Sequence, residues 1–549
     1  MQLLSTLQVL SLLTPPQGPE FIALVPGAIL VLVALAFIII DVFHRKGSSR
    51  DYQAYFAVVG LALAAASCFY LWDHGLERPT FFGMLYFDRF SMYFSGLACV
   101  SGALAMLCSP AVLRSNQMSR GEYYLLVLFS VTGMIFMTGA ADLLTLFIAF
   151  EVMSIPLYVI AAFLRKDARS AEAGMKYFVL GAFSAALMLY GIALIYGATG
   201  TTNLQYIAEN LAYLEAGGTE HAGYRMVMLG MLLIFSGFVF KVAGVPFHVW
   251  APDVYTGSPT PAVGFMATAV KAVGFAAMIR VFVVAFPLDI LRGGFFGWGW
   301  VDVAFFVAMA SMVLGNLVAV TQSNVKRMLA YYGIAHAGYL SVGFAAANSH
   351  PSFYLHNDAI LFSLTAYTFA LVGTFGVLSF FGRRGEAVET YEDLGSLGLK
   401  YPKMGFIMSV CVLSLAGIPP TGGFLAKFYI FRTGVDVAVQ TGETAFIVLV
   451  VVGVLSSVVG AYYYLKVLVY LYMKPAVREI RPLYCTGTKW ATAICAIMTL
   501  YLGIFPAKPL DMVREAVMGM QGVPASVQAT IDRGEMELER RRAIWEEED

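Results

Sequence analysis

The chain has 549 residues, 59% of them hydrophobic and only 13% charged, with a mean hydropathy of +0.74. That composition excludes an ordinary run of soluble domains and puts the length into many membrane spans. Lys plus Arg and Asp plus Glu balance at 35 each with no long basic run, which argues against a nucleic-acid partner.

From the N-terminus, Met1 to Thr14 is apolar, but no basic residue precedes it and Pro15 and Pro16 follow. It lacks the pattern of a cleavable signal peptide and reads as a short interfacial segment. Apolar stretches of the roughly 20 residues that a bilayer helix needs then recur along the chain. We place fourteen, at 21–42, 53–72, 87–107, 123–140, 142–164, 174–198, 224–246, 259–285, 300–321, 326–346, 357–382, 404–432, 443–470 and 488–506. The fourth and fifth are separated only by the turn at Gly139 to Asp142. The predicted fold class is therefore an all-α polytopic membrane protein.

Alternate loops differ in their content of Lys and Arg, which fixes orientation. One set holds Arg45, Lys46, Arg50, Arg114, Arg120, Arg165, Lys166, Arg169 and Lys176, then Lys326, Arg327, Arg383, Arg384, Lys400, Lys403, Lys474, Arg478, Arg481 and Lys489. The other has only Arg78, Arg89, Arg225, Arg292 and Arg432. The bias predicts the first set in the cytoplasm and both termini outside. Six cysteines (Cys68, Cys99, Cys108, Cys411, Cys485 and Cys495) form no CxxC pair, so neither a zinc site nor an iron-sulfur cluster has its spacing, and they read as small buried apolar residues. The tail after Pro506 is polar, ends in MELERRRAIWEEED, and reads as a solvated or partner-contacting appendage.

Five ionisable residues fall inside apolar stretches: Glu151, Lys241, Lys271, His336 and Lys427. A charge at bilayer depth costs roughly 2.5 to 3.5 kcal/mol on insertion scales, so it is rare without a partner or water. A single such lysine reads most simply as a snorkelling residue or a misplaced boundary. Lys241 is open to that reading because Pro246 follows five residues on, and the helix is expected to break there before a short loop, PFHVWAPDVYTGSPT. Lys271 and Glu151 lie too deep in their spans to snorkel. The set also repeats: 241 − 151 = 90 and 427 − 336 = 91, from spans five and seven to spans ten and twelve. An offset of five spans inverts the second copy, and each copy has a Pro- or Gly-broken helix beside a lysine (GIPPTGG precedes Lys427), the pattern of discontinuous helices that line an ion path. Burial disfavours the charged form of an ionisable group and a neighbouring carboxylate restores it, so moving Glu151 relative to Lys241 could switch the lysine between holding and releasing a proton. His336 is open to two readings, a structural histidine bonded to a backbone carbonyl or a shuttle between the lysines. His248 and Asp253 read as shaping the loop, Lys326 and Arg327 as anchors of a helix end, and most Phe and Tyr as lipid-facing or interfacial.

The segments KVAGVPFHVWAPDVYTGSPTPAVGFMATAVKAVGF, NVKRMLAYYGIAHAGYLSVGF and LSLAGIPPTGGFLAKFYIF closely resemble the antiporter-like membrane subunits of respiratory complex I and the related cation/proton antiporter subunits. The likeness runs from about residue 120 to 470. Lysine at 427, where the M type has glutamate, and the absence of a long lateral helix after the last span make it most similar to the N type, the counterpart of mitochondrial subunit 2. The resemblance implies fourteen helices with two inverted five-helix repeats, spans 4–8 (residues 123–285) and 9–13 (300–470). These follow an N-terminal three-helix segment (1–107) and precede a last helix (488–506) and a tail (507–549) longer than the family norm. It implies that Glu151, Lys241, Lys271, His336 and Lys427 translocate protons and that this chain carries no cofactor or redox centre. NADH or another donor, flavin, iron-sulfur clusters and quinone would belong to partner subunits. The implied partners are membrane-arm subunits of the K, M, J, A and H types, in a bacterial cytoplasmic membrane.

Two other classes compete. A subunit of an Mrp-type cation/proton antiporter would isolate with other small antiporter subunits and without redox activity. A cytochrome b type electron carrier needs paired haem-ligand histidines deep in neighbouring spans, and only His336 is so placed.

Overall fold

A computed structural model describes residues 18–43, 51–76, 79–216, 222–287, 289–293, 297 and 299–548. The N-terminal stretch Met1–Thr14 and the loop residues Arg45, Lys46, Arg50 and Arg78 lie outside the described residues. Among the described residues there are only helices and isolated β-bridges, with no strand. The first part comprises α1 (Val25–Val42), α2 (Asp51–Tyr70), α3 (Arg89–Ser115), α4 (Glu122–Thr138), α5 (Leu143–Ala161), α6 (Ala168–Thr199), a short α7 (Leu204–Ala216), α8 (Ala222–Lys241), α9 (Trp250–Gly257) and α10 (Thr260–Ala285). There follow α11 (Trp300–Thr321), α12 (Val325–Ala347), α13 (Asp358–Phe380), α14 (Pro402–Ala416), α15 (Gly422–Thr441), α16 (Thr444–Met473), α17 (Thr486–Ile504), α18 (Ala507–Met518) and α19 (Ala525–Glu548).

Eleven of the described helical stretches are long and apolar enough to cross a bilayer. The helices α4, α12 and the α14–α15 pair, which match three of the fourteen expected stretches, fall outside that set. Burial sorts the helices by role. Every residue of α10 is buried, and nearly every residue of α13, so these two form the centre. Apart from Lys271 and Arg280 on α10 and Asp358 at the start of α13, neither carries a charged residue, as suits a helix without a solvent or lipid face. In α1, α6 and α16 one face stays exposed yet apolar, with Leu32, Ile39, Phe183, Leu455 and Val458 outward, which suits lipid and not water. Small residues set the closest approaches: a Cβ on Gly191 of α6 would meet the Gly230 carbonyl of α8 at 2.6 Å.

Side chains cap the helices where the chain turns. Asp142 accepts from the Leu144 and Thr145 amides at the start of α5, and Asn324 accepts from the Arg327 amide at the start of α12. On one face the helix ends are also tied by charge. Arg169 meets Glu389, Lys176 and Arg327 meet Asp253, and Arg478 meets Asp393. These pairs join four loops of the Lys- and Arg-rich set to one another, as alternate loops on one face require. All six cysteines are free and buried, as expected.

Three expectations are corrected. The seventh helix ends at Lys241 and not at Pro246, because Ala243 turns into the left-handed region (φ 59°) before the proline is reached. The segment after it is not a loop throughout, since Trp250–Gly257 forms α9. The break expected in the stretch 404–432 is present: its first helix is stopped by Gly417 in a left-handed cap (φ 86°) and the second starts at Gly422. The tail is not simply a solvated appendage. Val513, Ala516, Val517 and Met520 recur at helical spacing and bury one face of α18 and its exit against the body, while Tyr354 donates to the Val517 carbonyl at 3.0 Å. A segment polar on average still carried an apolar stripe.

Candidate functional site

Lys241 is the last residue of α8, so its side chain leaves the helix just where the backbone breaks. The freed backbone groups are met locally: the Trp250 indole donates to the Phe240 carbonyl at 3.0 Å, and the Val245 amide donates to Ser311 Oγ at 2.9 Å. The side chain is only 2% exposed, which removes the snorkelling reading. Its Nζ donates to Ser154 Oγ at 2.6 Å and lies over the rings of Phe150, Tyr177 and Tyr158 at 4.8, 5.7 and 5.8 Å. Ser154 stands three residues after Glu151 on α5, on the same helical face, and in turn donates to the Phe150 carbonyl. Glu151 is partly buried, with Oε1 lacking a hydrogen-bond partner, and it interacts electrostatically with Lys241.

Lys271 sits in the middle of α10, the most enclosed helix, and is 3% exposed. Its Nζ donates to the Gly333 carbonyl of α12 and lies 5.4 Å from the centre of the Tyr367 ring. Three residues beyond Gly333, His336 presents its ring to the same tyrosine, stacked at 3.9 Å with the planes 6° apart. His336 Nε2 is 3.4 Å from Ser363 Oγ, and Nδ1 has no partner. The backbone-carbonyl reading of this histidine is thereby corrected: its ring stacks on Tyr367 and its Nε2 faces Ser363, both on α13. His336 feels the charge of both Lys271 and Lys427.

Lys427 stands on the second turn of α15, beside the other break. Its Nζ donates to the Ala416 carbonyl at 2.9 Å and to Ser457 Oγ at 3.0 Å, over the Tyr339 ring at 5.4 Å. Ala416 is the last residue of α14, so its carbonyl is one of those a helix end leaves free. A side chain at Gly417 would approach Lys427 Cδ to 3.0 Å. The five expected residues thus fall into two groups, Glu151 with Lys241, and Lys271 with His336 and Lys427. Among the described residues no cluster of three or more His, Cys, Asp or Glu is arranged to hold a metal.

The family model described as NADH:quinone oxidoreductase/Mrp antiporter, transmembrane, matches residues 140–456, which hold all five of these positions. The NADH-quinone oxidoreductase subunit N of Trichlorobacter lovleyi is 40% identical over 495 residues, 90% of this chain and 96% of that one. The chain belongs to the NADH-quinone oxidoreductase subunit N family. A chain of respiratory complex I from Thermus thermophilus shares its fold with a TM-score of 0.70 at 32% identity, over 88% of this chain and 98% of that one. A chain of the Mrp complex from Dietzia sp. gives a TM-score of 0.74 at 19% identity, over 93% and 99% of the two chains, a likeness of fold alone. Subunit N chains are multi-pass membrane proteins, and the apolar outer faces of α1, α6 and α16 fit that placement.

Two features of the chain are not apparent from the sequence. Arg280 and Asp88 form a fully buried bidentate pair at 2.8 and 2.9 Å, with Arg280 Nε on the Thr138 carbonyl at 3.0 Å and the guanidinium over Tyr86 and Phe90. Asp88 also caps α3 through the Ser91 amide and accepts the Gln521 amide from the tail. The signal was available, since Arg280 lies in the same apolar stretch as Lys271. The second is the tyrosines. Tyr177, Tyr339, Tyr463 and Tyr464 are buried in the bundle and not lipid-facing, and the hydroxyls of Tyr339 and Tyr463 meet through Asn316.

Proposed function

We propose that this chain is the proton-translocating, antiporter-like subunit of the membrane arm of a complex I type quinone oxidoreductase, and that Glu151, Lys241, Lys271, His336 and Lys427 carry the protons. One observation carries this reading. The three interior lysines rest on neutral acceptors, Ser154, the Gly333 carbonyl, and the Ala416 carbonyl with Ser457, and not on carboxylates within ion-pair distance. Such acceptors accept from an ammonium or a neutral amine alike, so releasing a proton breaks no ion pair. A charge pressed on Lys241 by Glu151 can then be passed towards Lys271, and His336 is set to sense both Lys271 and Lys427. A cavity of about 410 Å³ lined by Lys166, Arg169, Ser258, Lys326 and Glu389 supports water access from the basic face at the junction of α9, α10 and α12.

Residues 123–285 and 300–470 act as two inverted halves with one broken helix each. The redox chemistry belongs to partner subunits, which hold the donor site, flavin, iron-sulfur clusters and quinone, and this chain performs none. Its neighbours are membrane-arm subunits of the K, M, J, A and H types. It lies in a bacterial cytoplasmic membrane with the basic loops inside and both termini outside. Identity of 40% to a subunit N favours this over an Mrp-type antiporter, with which the likeness is of fold. The test is Lys241→Ala in the intact complex reconstituted in vesicles. Both quinone reduction and proton uptake should fall together; a variant that keeps both at the wild-type rate overturns the proposal, as does purification with small antiporter subunits and no redox partner.

A further inference from the structure

We infer that a crevice between the N-terminal helices and α13 holds an acyl chain of an anionic phospholipid, with the phosphate on Lys508. This rests on the membrane placement of the chain and not on the proton relay. The crevice has a volume of about 390 Å³ and is lined by α2, α3, α13, α17 and α18. Tyr93, Leu97 and Val100 recur at i, i+4 and i+7 on α3, and Phe362, Thr365 and Phe369 at i, i+3 and i+7 on α13. Each helix thus gives the crevice one face over two turns, roughly 10 Å. The lining comes from the first half of α3 and α13 and from the last turns of α2 and α17. Since α3 and α13 end beside the basic residues Arg114 and Arg383, and α2 and α17 run the other way, all four contribute from the half of the bundle away from the basic loops. The crevice therefore lies at the depth of one leaflet and ends against α18.

Three observations say what fills it. The wall is apolar, and the hydroxyls of Tyr93 and Thr365 within it bond to each other, so it offers water nothing and suits hydrocarbon. Gly96 interrupts a run of α3 that is otherwise buried from Phe90 to Cys99, yet a Cβ there would meet nothing within 4 Å. A glycine inside a helix is disfavoured and commonly marks the close approach of another group, and here the protein leaves that place open. Lys508, the second residue of α18, stands exposed at the end of the crevice with no ion-pair partner among the described residues. Trp72, just past the end of α2, and Tyr501, one turn before the end of α17, line the crevice there too, and both are side chains that favour the headgroup zone. A free ammonium at headgroup level followed by an apolar wall matches the order of groups in an anionic phospholipid. Helix α13 then stands between the lipid and His336, which Ser363 and Tyr367 meet from another of its faces.

The test places the intact complex in phosphatidylcholine vesicles doped with a phosphatidylglycerol whose acyl chain carries a photoreactive diazirine. A phosphatidylcholine probe with the same tail is run in parallel, and labelled peptides are located by mass spectrometry. The anionic probe should label residues 92–100 and 362–369 about fivefold more than the zwitterionic one, the worth of one lysine beside an anionic headgroup. The lipid-facing side of α1 should take both probes equally. Lys508→Glu should abolish the preference. Gly96→Leu, whose side chain grows into the open space, should remove the label from both stretches at wild-type yield of the complex. Lys508 is exposed, so its variant decides the matter even where Gly96→Leu fails to assemble. Equal labelling by the two probes in wild type, an unchanged preference in Lys508→Glu, or no label in either stretch because a neighbouring subunit fills the crevice, overturns the inference.

Discussion

Removing either half of the Asp88–Arg280 pair should destabilise the assembled subunit, by amounts that the surroundings of each group set. Both side chains are 1% exposed and meet through two hydrogen bonds, so breaking the pair belongs to the class that costs about 3–5 kcal/mol, because it leaves a buried charge alone. In Arg280→Met the orphaned carboxylate keeps two backbone donors, the Ser91 amide at 2.8 Å and the Gln521 amide at 2.9 Å, which places the loss near the low end, about 3 kcal/mol. In Asp88→Ala the orphaned guanidinium keeps one acceptor, the Thr138 carbonyl, and two ring faces. The same change also removes the cap of α3, worth about 1 kcal/mol, so this variant should sit at the high end, about 5 kcal/mol. The double variant Asp88→Leu with Arg280→Met, which leaves no buried charge, should recover part of the loss. The assay is the temperature at which the detergent-solubilised complex loses its assembled peak on size exclusion. Arg280→Met as stable as wild type, or more damaging than Asp88→Ala, would refute the reasoning.

Gly417→Val should displace the second-half lysine without blocking assembly. Its left-handed backbone disfavours a branched side chain by roughly 1–2 kcal/mol, and the new Cβ would press on Lys427. The expected readout is slowed proton translocation at nearly normal complex yield. At the basic face, Asp253→Asn should loosen α9, since the carboxylate holds Lys176 at 2.6 Å and Arg327 at 2.7 Å; each half-exposed pair is worth about 0.2–1 kcal/mol. Faster proteolysis of the 242–259 segment in inside-out vesicles checks it. Burial alone would push the Asp253 carboxyl up, but the hydrogen bonds from Lys176 and Arg327 outweigh it and hold the group below its ordinary value. Its contribution is therefore fully present above the ordinary carboxylate pKa of about 3.9 and is lost only as pH falls through the lower folded value. Wild-type protease resistance should be unchanged between about pH 8 and about pH 5.

Most of the spans were legible from their apolar runs, and the five interior ionisable residues were legible because a charge in an apolar stretch is conspicuous. The two breaks were legible from Pro and Gly, though not their edges. Ala243 ends α8 before Pro246 acts, and a left-handed alanine leaves no mark in the sequence. The Asp88–Arg280 pair was missed because its members are 192 residues apart and each, taken alone, resembles an interfacial residue at a helix end. The buried tyrosines were missed for a related reason: composition does not separate a tyrosine facing lipid headgroups from one inside the bundle, and only packing does. The stripe on α18 was hidden by averaging its apolar residues with the charges between them.

The central claim is that a wet polar path joins the two lysine groups through the core of the subunit. A map of the intact complex at a resolution that shows ordered water tests it most directly. The prediction is an unbroken line of water and polar side chains from Glu151 and Lys241 to Lys271, His336 and Lys427. A dry apolar gap between Lys241 and Lys271, or amines turned out to the lipid, would contradict it.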